Sequence, residues 1–324
     1  MHRRELVIVG GGPAGMAAAI SAYENGVRDI LLIERDQYLG GILNQCVHTG
    51  FGLDYFKEIL SGPEYAQRFI DKVCAIPQIE VSLRSFAVSL SKDKVLTLLK
   101  PGAMREIKAE AVIMATGCRE KTREMVHIAG TRPAGIFSAG LAQKLINVEG
   151  LLPGKEAVIV GSGDIGLIMA RRFVLEGAKV KAVIEIQKQS RGLTRNQVQC
   201  VEDFGIPFYC SHKVAKIYGN NRVEKVSVVK VDDNLNAIPG SEFEIMCDTL
   251  LISVGLIPEN ELIEMAGVNI DKKTNCPVSN ELNKTSVSGV FVCGNAFKIY
   301  DLVDAVSRDS GLAGRLAAEY LRET

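Results

Sequence analysis

The chemistry legible in this sequence rests on six glycines and two glutamates. Gly10-Gly11-Gly12-Pro13-Ala14-Gly15 and Gly161-Ser162-Gly163-Asp164-Ile165-Gly166 both fit the pattern GxGxxG. Each follows a short apolar run, ELVIVG from Glu5 and AVIVG from Ala157, and each opens a helical pattern. In such a turn the first glycine bends the chain tightly, the second lets the backbone approach a pyrophosphate, and the third lets the helix pack closely on the strand. The helix start adds N–H groups without helical partners and the positive end of a dipole, both suited to phosphate. A second apolar run follows in each half, DILLIE ending at Glu34 and VKAVIE ending at Glu185. Glu34 stands 24 positions after Gly10 (34 − 10), and Glu185 stands 24 after Gly161 (185 − 161). A carboxylate at the end of that second strand accepts hydrogen bonds from ribose hydroxyls. One glycine-rich turn is weak evidence, because tight turns are common. Two in equal register, each with its acid, point to two dinucleotide sites.

The elements that must hold these residues follow from the pattern. The apolar runs lack polar alternation and read as buried parallel strands. Helices are expected over Pro13–Tyr23 and Asp164–Leu175. AVIMATG (111–117) and TLLISVG (249–255) read as strands leaving for, and returning from, an inserted segment. This gives an α/β fold of two Rossmann-like, three-layer dinucleotide-binding domains, the second inserted in the first: residues 1–117 with 256–324, and residues 118–255. VFVCGN (290–295) reads as a further buried strand, and the stretch from Asp301 as a long closing helix with acids in its first turn. The segments 80–99 and 223–231 alternate and read as antiparallel strands.

Composition narrows the class. A chain of 324 residues is long enough for about two domains. Lys and Arg total 38, as do Asp and Glu, so no basic face for nucleic acid is indicated. The N-terminal apolar run is too short for a signal peptide and passes directly into the glycine turn. No run is long enough to span a bilayer. The eight cysteines, none in CxxC or metal-ligand spacing, read as reduced thiols of a cytoplasmic protein without a bound metal.

In order, GGGPAG, ER, GGIL, ATG, GSGDIG, SVGLIPEN and VFVCGN resemble the two-dinucleotide-domain flavoprotein reductases, of which thioredoxin reductase is the compact member. The resemblance covers almost the whole chain. It implies FAD in the discontinuous domain, NAD(H) in the insert, and hydride transfer from nicotinamide to flavin. By position it places Gly10, Gly12, Pro13, Ala14 and Gly15 at the FAD pyrophosphate, and Glu34 with Arg35 at its adenosine ribose. Gly41 and Ile42 fall near the flavin, with Thr116 and Gly117 lining the same site. Gly294 and Asn295 fall at the ribityl chain, and Leu302 and Val303 at the pyrimidine edge. For the nicotinamide nucleotide it implies Gly161, Gly163, Asp164, Ile165, Gly166, Glu185 and Gly255. Two departures stand out: Asn295 replaces an aspartate, and the insert has Cys200, Cys210 and Cys247 but no CxxC.

The stretches GGILNQCVHTGFGLDYFKEILSGPEYA, ATGCRE and TRPAGIFSAGLAQ narrow the resemblance. They are similar to flavoproteins associated with bacterial FAD-dependent glycerol-3-phosphate dehydrogenases, and to components of opine and sarcosine oxidases and of hydrogen cyanide synthase. That implies a flavoprotein or iron-sulfur partner subunit with which electrons are exchanged. The chain alone leaves open a stand-alone NADH oxidase, a homo-oligomer and a non-catalytic FAD-binding assembly component.

Cys46 and His48 have two readings: a redox thiol and proton donor beside the flavin, or loop contacts that shape its pocket, the latter favoured. Glu185 favours NADH over NADPH because its carboxylate repels a 2′-phosphate. Arg191 and Arg195 could instead bind that phosphate, or be solvated helix-start charges.

Overall fold

A computed structural model describes residues 2–279 and 281–324. The chain forms two compact units, Met1–Arg119 with Ile257–Thr324, and Glu120–Leu256.

The first unit is built on a seven-stranded sheet. Strand His2–Val9 lies between Ile30–Ile33 and Ala103–Met114, parallel to both, and Ile79–Ser82 continues the parallel array beyond Ile30–Ile33. Val290–Val292 pairs in parallel with the end of Ala103–Met114. Helices Pro13–Glu24 and Val303–Glu323 cover one face, burying Met16, Ala18, Ala22, Ala313 and Ala317 against Leu6, Ile8 and Ile113. The small residues let the two helices approach closely: a Cβ on Gly314 would lie 2.2 Å from the carbonyl oxygen of Ala18. Leu90, Leu96, Val112 and Ile263 fill the opposite face.

The alternation read over 80–99 resolves into two different partners. Phe86–Leu90 and Val95–Lys100 are antiparallel, as read, but Ile79–Ser82 pairs in parallel with Ile30–Ile33. Its position beyond Ile30–Ile33 follows from the helix Gly62–Cys74, which returns the chain in the parallel sense.

The second unit repeats the plan. A five-stranded parallel sheet runs in the order Ile136–Ser138, Thr249–Ile252, Glu156–Val160, Lys179–Ile184 and Phe208–Tyr209. Helix Asp164–Leu175 buries Leu167, Met169, Ala170 and Phe173 on one face. A second sheet, in which His212–Tyr218, Lys225–Lys230 and Phe243–Met246 are antiparallel, covers the other through Val214, Ile217, Val226 and Val228. Both halves are thus three-layer Rossmann-type units.

Candidate functional site

Within each unit the glycine turn closes in the same way. Gly10 has φ +113°, a conformation that L side chains rarely adopt, and a Cβ there would lie 2.3 Å from the carbonyl oxygen of Ala115. Gly161 has φ +94°, and its Cβ would lie 2.0 Å from the carbonyl oxygen of Ser253. Each first glycine is therefore fixed by the strand beside it, just before Thr116-Gly117 in one unit and Val254-Gly255 in the other. The third glycines bring helix onto strand: a Cβ on Gly15 would lie 1.8 Å from the oxygen of Gly10, and one on Gly166 2.7 Å from that of Gly161. The middle glycines differ in kind. A Cβ on Gly12 would meet nothing nearer than Gly41 Cα at 3.9 Å, and one on Gly163 nothing within 4 Å. The space a side chain would fill lies over the start of each helix, and neither helix has a side-chain N-cap. Backbone N–H groups in that arrangement suit a pyrophosphate.

The glutamates are clamped by the same turns. Gly11 N–H donates to Glu34 at 2.7 Å, and Asp36 N–H donates to its other oxygen at 2.8 Å. Glu185 accepts from Ser162 N–H at 2.9 Å and from Gln187 N–H at 2.8 Å. It takes a further bond, from the Ser162 hydroxyl, at 2.6 Å. Both carboxylates are buried. Arg35 follows Glu34 and is exposed.

In the first unit the segment after Glu34 folds back onto the turn. Gly40 N–H donates to the oxygen of Gly11 at 2.9 Å, and a Cβ on Gly41 would lie 3.0 Å from Gly12 Cα. Gly41–Gln45 is a short 3-10 turn that buries Leu43 and leaves Ile42 exposed. The Cys46 thiol donates to the oxygen of Ile42 at 3.3 Å, and burial pushes it up to about 12. A buried thiol shifted in this direction is a poor nucleophile, in keeping with a packing role. His48 stacks on Phe51 with ring centroids 5.0 Å apart.

Thr116 donates through its hydroxyl to the oxygen of Glu259 at 2.6 Å, and Glu259 N–H donates to the oxygen of Gly117 at 3.0 Å. Gly294 comes close to the glycine turn: its Cβ would lie 2.7 Å from that of Ala14. Asn295 accepts from Tyr300 N–H at 3.1 Å and donates to Cys118 Sγ at 3.5 Å. Leu302 is the N-cap residue of helix Val303–Glu323, without a side-chain cap, and is exposed. Gly10, Gly12, Ala14, Gly15, Gly41 and Gly294 thus converge around one helix start.

The sequence reading missed Asp304. It counts there as a dipole-complementing acid in a first helical turn. In the structure its buried carboxylate accepts from Gly52 N–H at 3.2 Å and Tyr55 N–H at 2.7 Å, fastening the loop 52–55 to the start of the closing helix. Tyr65, fully buried, donates to Ser307 one turn further on, at 2.8 Å. The only sequence signal was an acid at a helix start, which says nothing of a partner 252 positions away.

In the second unit, Asp164 turns from its helix start to the following loop, accepting from Leu193 N–H at 2.8 Å and Asn196 Nδ2 at 2.7 Å. The Ile165 side chain packs on the core. Lys121 N–H donates to the oxygen of Gly255 at 3.0 Å. Among the described residues no group of three or more His, Cys, Asp or Glu is placed to hold a metal, and no helix is long and apolar enough to cross a membrane.

Two Rossmann-type units, each with a glycine turn and a clamped glutamate, define the class of the two-domain dinucleotide-binding oxidoreductases. The chain belongs to the pyridine nucleotide-disulphide oxidoreductase family, whose model matches residues 4–309. It is 25% identical to an opine oxidase subunit of Agrobacterium tumefaciens over 97% of this chain and 64% of that one. It is 28% identical to the HcnB subunit of hydrogen cyanide synthase from Pseudomonas protegens over 81% of this chain and 58% of that one. The chain therefore spans about three-fifths of the length of these relatives. Thioredoxin reductase of Listeria innocua is 25% identical over 98% of this chain and 94% of its own. The crystal structure of T. acidophilum thioredoxin reductase superposes over 100% of this chain and 99% of its own with a TM-score of 0.77 at 22% identity.

Proposed function

We propose that the chain binds FAD in the unit formed by residues 1–117 and 256–324, takes a hydride from NADH held by residues 118–255, and passes electrons to a partner protein. The observation that carries this reading is the repeated clamp: a glycine turn whose second residue hydrogen-bonds a strand-end glutamate, once per unit. FAD, when bound, supplies a ring that takes up a hydride and releases electrons singly or in pairs. The protein's own groups do the rest. The N–H groups of Gly12, Ala14 and Gly15 and those around Gly294 would hold the pyrophosphate, and Glu34 would accept from ribose hydroxyls. The uncapped start of helix Val303–Glu323, at Leu302 and Val303, would favour negative charge beside it. Thr116, Gly117, Ile42 and Asn295 would line the remainder. In the second unit Gly161, Gly163, Gly166 and Gly255 would hold the nucleotide and Glu185 its ribose, with NADH favoured over NADPH.

A protein partner is supported by two features. The second unit has no CxxC; its Cys200, Cys210 and Cys247 are free, and burial pushes the Cys247 thiol up to about 12. Several relatives are named as subunits. The partner we propose is a substrate-oxidising flavoprotein or iron-sulfur subunit, of the kind found in opine oxidases or FAD-dependent glycerol-3-phosphate dehydrogenases, in the cytoplasm. The test is anaerobic stopped-flow mixing of the yellow protein with NADH. Bleaching within seconds, with FAD released on denaturation, is the expected result; FMN, or a flavin that NADH leaves oxidised, would sink the proposal.

A further inference from the structure

Beyond Glu185 the second unit holds an open cavity of about 800 Å³. One wall is the segment 186–191 that continues from the strand Lys179–Ile184, and the other is the turn at Asp232, Asp233 and Leu235. On the proposed reading, a ribose whose hydroxyls meet Glu185 would turn its 2′ position towards the adjoining segment 186–191, so the lining of this cavity would bear on the choice between a 2′-hydroxyl and a 2′-phosphate.

The charged lining comes from both walls: Lys188 and Arg191 on one, Asp232 and Asp233 on the other. Asp232 is occupied with the turn itself. It accepts from Asn236 N–H at 2.8 Å and Asn234 N–H at 2.9 Å, bonds that hold it below the usual carboxylate range. Asp233 is different. Its carboxylate meets Lys188 Nζ at 2.9 Å across the cavity mouth, with both side chains largely exposed. Lys188 is thereby held to the acidic wall. Arg191, on the other wall, donates its N–H to the Ser162 hydroxyl at 3.0 Å.

We infer that Asp233 is a second determinant of nucleotide choice, which disfavours a 2′-phosphate by holding Lys188. This rests on the reading of residues 118–255 as the nicotinamide-nucleotide unit. Glu185 acts on the 2′-hydroxyl directly, whereas Asp233 acts through Lys188 and is a positioning residue. Because the pair is exposed, its effect is small and screened by salt.

The test uses the FAD-loaded protein and two probes, adenosine 5′-monophosphate and adenosine 2′,5′-bisphosphate, titrated by calorimetry. Asp233→Asn should tighten the bisphosphate about threefold and leave the monophosphate unchanged. The gain should vanish at about 1 M salt, where the screening length is about 3 Å. It should also vanish in the Lys188→Met/Asp233→Asn double variant, and Asp233→Glu should behave as wild type. The ratio of NADPH to NADH reduction rates should shift in the same direction. A gain that survives loss of Lys188, or an Asp233→Asn variant indistinguishable from wild type, overturns the inference while leaving the nucleotide site standing. A wild-type protein that binds neither probe overturns the nucleotide-site reading, and the inference with it. Asp233 is exposed and Asp232 keeps the turn, so the variants should fold.

Discussion

The two glycine turns are the same device built with different chemistry. Both fix the first glycine against a neighbouring carbonyl and both clamp a strand-end glutamate with two backbone N–H groups. At the next position the first unit has Gly11 and the second has Ser162. A carboxylate offers about four lone-pair positions. Glu34 has two taken by backbone, leaving about two for ribose hydroxyls. Glu185 has three taken, the third by the Ser162 hydroxyl, leaving about one. The first helical residue is Pro13 in one and Asp164 in the other, and a carboxylate at a helix start opposes phosphate. The two turns thus leave their glutamates with different numbers of open acceptor positions and put different residues at the helix start.

The comparison breaks most visibly at the third glycines. Gly15→Val sets a side chain 1.8 Å from the oxygen of Gly10, and the helix must leave the strand. Overpacking of this kind costs on the order of 3 kcal/mol or more, so the variant should purify colourless or not at all, as absorbance at flavin wavelengths would show. Gly166→Val has the corresponding contact at 2.7 Å. It should keep its FAD and lose NADH reduction by more than tenfold, on the order of 1.4 kcal/mol. Loss of FAD from both variants equally would mean that the units do not have separate ligands.

Exchanging the second residues sharpens the contrast. Gly11→Ser sets its Cβ 2.5 Å from Leu39 Cδ2 and 3.0 Å from Glu34 Cβ, so the buried Leu39 must shift before the first unit can take the arrangement of the second. A cost of about 1–3 kcal/mol in thermal or denaturant stability is expected, with weaker FAD retention. Ser162→Gly meets no such obstacle. It removes the hydroxyl's bond to the charged Glu185, worth about 1.5–3 kcal/mol, and the bond that hydroxyl accepts from Arg191 N–H at 3.0 Å, which loosens Glu185 and the segment that follows it. The KM for NADH should rise severalfold while FAD content stays constant. Unchanged KM would show that the serine bond contributes nothing to the nucleotide site.

The smallest effects are expected at the cysteines. Cys46 is buried and protonated, its thiol ionising at about 12, so the thiolate is absent through pH 7–9 and appears only as pH rises towards that value. Native protein should resist iodoacetamide at Cys46 at pH 8, as peptide mass mapping would report. The Cys200→Ser/Cys210→Ser protein should reduce quinones or dyes with NADH within about a factor of two of wild type, as surface or packing changes of this size allow. Efficient NADH-dependent thioredoxin reduction, abolished by those two changes, would reveal a dithiol and contradict the partner-protein reading.

The sequence by itself determined the two strand–turn–helix–strand repeats, because glycine spacing and apolar runs encode local geometry that few other residues permit. Helix Asp164–Leu175 begins and ends where the pattern places it, and Pro13–Glu24 runs one residue further. The strand-end glutamates were legible for the same reason: a fixed rise per residue carries them back beside the turn. Only the tertiary structure decided what depends on distant partners. It turned the first-turn acid Asp304 into a buried clamp on Gly52 and Tyr55, sent Ile79–Ser82 into the parallel array, and buried the Cys46 thiol, which pushes it up to about 12. It also set Asp233 opposite Lys188, 45 positions apart (233 − 188), where pairing depends on how one turn packs across a cavity. Local periodicity reports neighbours along the chain. The environment of a carboxylate or a thiol is fixed by what the rest of the chain brings to it.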